Sequence, residues 1–252
     1  MEHKTWTAPP RFLFRKHNVL HELKKLPDVK TFIDVGCGAG GMACILVKEA
    51  GLRGKGIDFS KKAIEAANHL KQALELDTHP TFHWVDGKDF TAIKKADLVT
   101  CFEVLEHVED DEALLKKLLT LSNKYVMVSV PAKQKLYSRS DELAGHFRRY
   151  EKYNLTNLLE KNGLKIVSFV SYGYPYTNLV RLAREQLSRQ KKHKNNKQTM
   201  EQRSKKSGYD LLDLNKYLPD MEKLIMPFYK TSRLFNDYDL SEGYLVLCQK
   251  SK

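Results

Sequence analysis

The stretch Thr31-Phe32-Ile33-Asp34-Val35-Gly36-Cys37-Gly38-Ala39-Gly40-Gly41 constrains the fold more than any other part of the chain. An apolar, β-forming run (Phe32, Ile33, Val35) stops at clustered glycines. These lead into Met42-Ala43-Cys44-Ile45-Leu46-Val47-Lys48-Glu49-Ala50, which reads as a helix. Strand, glycine turn and helix open a nucleotide-binding α/β unit. The glycines let the backbone turn sharply and come close to a ligand that any Cβ would push away. Asp34 stands at the strand end, where a dinucleotide would bring its pyrophosphate. A carboxylate there suits instead a cationic ligand, such as an amino acid bearing ammonium and sulfonium groups.

Two further acids take comparable places. Lys55-Gly56-Ile57-Asp58-Phe59-Ser60 sets Asp58 at the end of a second strand, some twenty residues past the glycines, where an acid accepts both hydroxyls of a ribose. Phe82-His83-Trp84-Val85-Asp86-Gly87 repeats the pattern, with Asp86 placed to accept an adenine amino group. With Asp97-Leu98-Val99-Thr100-Cys101-Phe102-Glu103-Val104-Leu105-Glu106-His107-Val108, these segments resemble the class I methyltransferases that use S-adenosylmethionine, over roughly residues 30 to 170. The resemblance implies donor-binding roles for Asp34, Gly36, Gly38, Gly40, Asp58, Phe59, Asp86, Gly87 and Phe102. S-adenosylhomocysteine would be the product.

The strand and helix pattern agrees. Strands are expected at 31–35, 53–58, 81–85, 96–101 and 124–130, with helices near 41–50, 60–76 and 110–121. Alternation of this kind argues a parallel sheet with crossover helices, and ligands then bind at the carboxyl ends of the strands. A helix over Glu151 to Asn162 stops at Gly163, and strands follow at 164–170 and 243–248. The resemblance implies that these two close the sheet as an antiparallel pair. The expected fold is α/β, a Rossmann-like, mostly parallel seven-stranded sheet with flanking helices and a helical insertion before the last strand. The expected divisions are an arm and helix at 1–30, a donor-binding core at 31–173, a basic insertion or lid at 174–240 and the final core strand at 241–252.

At the amino end, Ala8-Pro9-Pro10 reads as an extended arm, and Arg11 to Leu26 as an amphipathic helix ended by Pro27. This helix either packs over the donor, as in related proteins, or lies at the sheet edge. Within the insertion, Thr177 to Arg189 is helical in pattern, Gln190 to Gln198 is basic and polar, and Leu211 to Phe235 regains apolar residues.

The chain carries 43 Lys and Arg against 31 Asp and Glu, a formal charge of +12. That field attracts nucleic acid, anionic lipid surfaces or acidic small molecules without choosing among them. Aromatic stacking residues, which RNA binding usually adds to charge, are missing from the basic run. Cys37, Cys44, Cys101 and Cys248 form no C-x-x-C pair and read as buried thiols in a reducing compartment. No apolar run approaches the length of a membrane span, so a cytoplasmic protein is expected, with peripheral membrane contact left open.

Catalytic candidates are His107, His146 and Arg149. Glu103-Val104-Leu105-Glu106-His107 admits three readings: a turn bordering the donor, a general base at His107, or a divalent-cation site formed by Glu103, Glu106, His107 and the distant His146. Small-RNA 2′-O-methyltransferases carry a similar Glu-x-x-Glu-His run with a later His as metal ligands, but related small-molecule methyltransferases contain the same run, so the resemblance does not choose; a metal is not the favoured reading. Pro131 to Tyr150 is a long polar loop at a strand's carboxyl end, where an acceptor would enter. Its Asp141-x-x-x-Gly145-His146-x-Arg148-Arg149-Tyr150 segment resembles that of bacterial small-molecule and lipid-type methyltransferases. Here Asp141 can orient His146, and Arg148 or Arg149 can clamp an anionic acceptor, or else Arg and Asp pair with each other. The leading expectation is methyl transfer to oxygen or nitrogen of a small or lipid-like, anionic acceptor. An RNA methyltransferase, or another use of the same donor such as cyclisation, stands as the alternative.

Overall fold

The computed structural model describes residues 9–86, 90, 93–190 and 221–251. Seven strands form one sheet in the order β3-β2-β1-β4-β5-β7-β6. They are β1 (Thr31–Val35), β2 (Arg53–Asp58), β3 (Thr81–Trp84), β4 (Ala96–Phe102), β5 (Ser122–Pro131), β6 (Leu164–Ser171) and β7 (Gly243–Lys250). The first five run parallel, and β7 inserts antiparallel to both β5 and β6. The expected strands are therefore all present, each within one or two residues of its expected start.

Helices α1 (Pro10–Leu23), α2 (Gly41–Lys48), α3 (Lys61–Ala73), α4 (Asp111–Leu121), α5 (Arg139–Ala144), α6 (Lys152–Lys161), α7 (Tyr176–Gln190) and α8 (Met221–Ser232) flank the sheet. The sheet is apolar on both faces because helices cover both. Phe32 belongs to the cluster that packs with Met42, Leu46 and Leu98, whereas its neighbour Ile33 packs with Val99, Leu115 and Leu118 on the other face. The order reverses between β1 and β4, the switch point at which open α/β sheets bind ligands beyond their carboxyl ends.

Three local features depart from expectation. Pro10 opens α1 rather than closing an extended arm, since a proline at the first helical position sacrifices no hydrogen bond. The same helix ends at Leu23, short of Pro27. The segment 131–150, expected as a loop, contains α5. Its start is fixed by a capping box in which Asp141 accepts from the Ser138 backbone N–H at 2.9 Å. The basic run 191–198 and the apolar stretch 211–218 lie outside the described residues. No helix among the described residues is long and apolar enough to cross a membrane.

Candidate active site

At the end of β1, Asp34 is buried and accepts a hydrogen bond from Thr100 Oγ1 at 2.7 Å, across the β1–β4 pairing. Burial pushes its pKa up to about 7, against the opposing pull of Thr100 and Arg15. A carboxyl poised in this way gains most from a ligand that brings its own positive charge. At the end of β2, Asp58 accepts from the backbone N–H of Gly38 and of Ser60, both at 2.9 Å. It thereby ties the glycine turn to the start of α3, while burial raises its pKa. Gly36 has φ +71°, and a Cβ there would lie 2.5 Å from Val104 Cγ2. The missing side chain lets the Glu103–His107 segment close directly against the glycine turn. Beside this turn, the Phe59 ring is exposed, and the Phe59 carbonyl accepts from the indole N–H of Trp84 at 2.8 Å. Asp86 is exposed beyond β3.

The end of β4 carries two carboxylates in opposite circumstances. Glu103, at φ +58°, meets Arg11 at 2.8 Å, Arg15 at 3.4 Å and the Ser129 hydroxyl at 3.0 Å. Burial alone would raise its pKa, but the two guanidiniums hold it below the usual range. Three residues on, Glu106 is fully buried, and neither carboxylate oxygen has a hydrogen-bond partner among the described residues. Burial, reinforced by the Glu103 charge, pushes its pKa well above the ordinary range.

Next to Glu106 the rings of His107 and His146 stand 4.6 Å apart, nearly perpendicular. Two contacts bring the distant segment in: Phe147 N–H donates to the Glu106 carbonyl at 2.7 Å, and His107 Nδ1 lies 3.3 Å from the Gly145 carbonyl. His146 Nδ1 lies 2.8 Å from Asp141 Oδ1. Asp141 is buried; that burial raises its pKa, but the hydrogen bonds from His146 and Arg149 overcome it and hold it well below the usual carboxylate range. An ionised carboxylate only accepts, so His146 carries its proton on Nδ1 and presents Nε2 as the basic nitrogen. Glu106, His107 and His146 each offer a ligand atom, all within 4.8 Å of one another. One carboxylate and two imidazoles suit a divalent transition metal. An orphaned buried carboxyl beside them fits such an ion. Glu103, expected in the same ligand set, is instead committed to the two arginines.

Comparison with known proteins settles the family. Residues 9–169 match the family described as a methyltransferase domain. The chain belongs to that family. It is of the class I, S-adenosylmethionine-dependent type. Norajmaline N-methyltransferase of Rauvolfia serpentina is 30% identical over 110 residues, covering 42% of this chain and 36% of the relative. A ubiquinone biosynthesis O-methyltransferase of Hydrogenovibrio crunogenus is 35% identical over 88 residues, covering 34% and 35%. The matches thus span about a third of these relatives' length. Among solved structures, the magnesium protoporphyrin IX methyltransferase of Synechocystis PCC 6803, with bound S-adenosylhomocysteine, superposes with a TM-score of 0.54 at 24% identity, covering 66% of this chain and 78% of that one.

In this methyltransferase the structure gathers Asp34, Gly36, Gly38, Asp58, Phe102, His107 and His146 around the switch point, while Gly87 lies outside the described residues. Of the two readings of Arg149, the structure shows the pairing with Asp141. Arg149 is buried, its Nε donates to Asp141 at 2.9 Å and its Nη1 to the Ala132 carbonyl at 3.3 Å. Arg148 is likewise engaged, with Asp111 at 3.0 Å. Both guanidiniums are thus paired within the chain. Tyr150 donates to Asp111 at 2.8 Å. The sequence reading missed Arg11 and Arg15. Their signal was present: a basic pair four residues apart within an amphipathic helix shares one face.

Proposed function

We propose that this methyltransferase transfers a methyl group from S-adenosylmethionine to an oxygen or nitrogen of a small or lipid-like acceptor, with S-adenosylhomocysteine as product. One observation carries the reading: a donor-type set of buried strand-end carboxylates (Asp34, Asp58) abuts a histidine pair whose His146 is oriented by an ionised Asp141. In this reading Asp34 meets the donor ammonium, Asp58 the ribose and Asp86 the adenine, with Phe59 and Phe102 along the donor. His146 Nε2 takes the acceptor's proton as the oxygen or nitrogen attacks the donor methyl, and His107 flanks it. Named relatives acting on nitrogen and on oxygen support both acceptor atoms. An anionic acceptor loses the support of Arg148 and Arg149, because both are paired internally. The test is to incubate the protein with methyl-labelled donor and a metabolite extract, with and without ribonuclease. Label in a small-molecule or lipid fraction that survives ribonuclease is expected; label that disappears with the nuclease would assign an RNA acceptor instead.

A second reading adds a divalent cation held by Glu106, His107 and His146, favoured by the orphaned oxygens of Glu106. Such an ion would lower the pKa of an acceptor hydroxyl. Full turnover in excess EDTA rules it out, and loss restored by Mn²⁺ establishes it.

A further inference from the structure

The helical insertion carries more apolar surface than the core takes up. Of the fourteen large apolar side chains exposed among the described residues, eight lie from Leu179 to Leu240. On α8, Ile225 and Tyr229 are buried, and the Tyr229 hydroxyl donates to the His17 carbonyl at 3.1 Å. That face holds the helix to α1. Leu224 and Phe228, one turn apart on the neighbouring face, are 50% and 41% exposed. On α7, Thr177 is buried, whereas Leu179 and Leu182 are 59% and 49% exposed. The two helices meet where the Tyr176 ring stands 4.9 Å from the Phe228 ring and the Tyr176 hydroxyl 2.9 Å from that of Thr231. Both exposed strips adjoin this contact. Apolar residues exposed singly need no explanation, but a joined set marks an interaction surface.

Charge selects the occupant. From Tyr176 to Lys206 the sequence carries ten Lys or Arg against two Asp or Glu, which is eight of the chain's formal +12. On the surface itself Lys223 and Lys230 are exposed and, seven residues apart, share one side of α8. Exposed apolar side chains on basic, amphipathic helices match an anionic bilayer, whose acyl chains take the apolar groups and whose phosphates take the cations. RNA would use the charge and leave the leucines idle. We propose that α7 and α8 form a membrane-docking face, with Leu179, Leu182, Leu224 and Phe228 entering an anionic leaflet. α7 follows β6 and Tyr172, whose hydroxyl donates to Glu103 at 3.4 Å. The docked face thus adjoins the candidate site, and an acceptor held in the leaflet lies beside it. Docking itself does not depend on the acceptor being lipid-like.

Vesicle flotation tests this, with mixed phosphatidylglycerol and phosphatidylcholine set against phosphatidylcholine alone. The native protein is expected to float with the anionic vesicles and several-fold less with the neutral ones. Leu179→Ser combined with Leu182→Ser is expected to weaken anionic binding about tenfold or more, with Tm and S-adenosylhomocysteine affinity unchanged. Lys223→Glu combined with Lys230→Glu is expected to weaken it about tenfold as well. Should the serine pair lower Tm, Leu182→Cys carrying a polarity-sensitive dye gives a second reading, with emission moving to the blue on anionic vesicles. Native binding by a folded serine pair, equal binding to both vesicles, or a dye whose emission does not move would overturn the proposal. If only the lysine pair loses binding and RNA strips the native protein from the vesicles, the face takes a polyanion and the bilayer is wrong. A native dimer that the serine pair dissociates would give the face to a second copy instead.

Discussion

Asp58 and Asp141 are both buried hubs, one in the donor half of the site and one in the segment that follows β5, and they are built for different tasks. Asp58 takes one backbone N–H at 2.9 Å on each oxygen. A carboxylate offers about four acceptor positions, so capacity for a ligand's hydroxyls remains. Asp141 has spent its positions: His146 and Arg149 on Oδ1, the Ser138 N–H and hydroxyl on Oδ2. Accordingly burial leaves Asp58 with a raised pKa, whereas charged neighbours keep Asp141 ionised. The lesson is that a buried acid with unfilled acceptor positions faces a ligand, and a filled one positions a side chain. In the proposed mechanism Asp141 serves the reaction through His146.

The sharpest way to break this contrast is to remove the group that Asp141 positions. His146→Ala is expected to lower kcat about a hundredfold or more, the usual weight of a general base, with S-adenosylhomocysteine affinity unchanged. A preserved kcat would return His146 to the scaffold. On the donor side, Asp58→Ala is expected to weaken S-adenosylhomocysteine tenfold or more, because ribose hydroxyls lose a charged acceptor and the Gly38 N–H loses its anchor. Arg149 sharpens the comparison from within the filled hub. Arg149→Ala is expected to lower Tm and kcat while leaving the acceptor KM unchanged, with partial rescue by lysine, since the guanidinium holds Asp141 and touches no ligand. A selective rise in KM would restore it as a clamp.

The smallest effect is a pH dependence. Asp34 has a folded pKa raised to about 7, so the empty protein loses stability as pH rises from about 4 towards 7. A ligand ammonium recovers that loss by pairing with the ionised form. S-adenosylhomocysteine should therefore bind several-fold tighter at pH 7.5 than at pH 6, and Asp34→Asn should flatten the curve. An unchanged slope in the variant would place the titrating group elsewhere.

The donor half was legible in the sequence because its geometry is local. Thr31 to Lys48 encode strand, turn and helix by themselves, and Asp34 and Asp58 fall at strand ends whatever the rest of the chain does. The far side of the site was less legible because its contacts join residues far apart. Whether Arg149 meets a ligand or Asp141 depends on α5, whose capping box sits in a polar run that reads as loop. The pairing of Arg11 and Arg15 with Glu103 spans about ninety residues and is fixed by where α1 lands on the sheet. The approach of His146 to His107 was one of three readings open in the sequence, supported by a family likeness; what delivers it is the Phe147 N–H on the Glu106 carbonyl and the His107 ring on the Gly145 carbonyl.

The central claim is that donor binding and acceptor activation reside in separate, adjoining halves of one site. Calorimetric titration of S-adenosylhomocysteine into Asp58→Ala and His146→Ala, side by side with the native protein, tests it most directly. The account predicts a loss of tenfold or more for the first and native affinity for the second. Equal losses in both folded variants, or native affinity in Asp58→Ala, would contradict it.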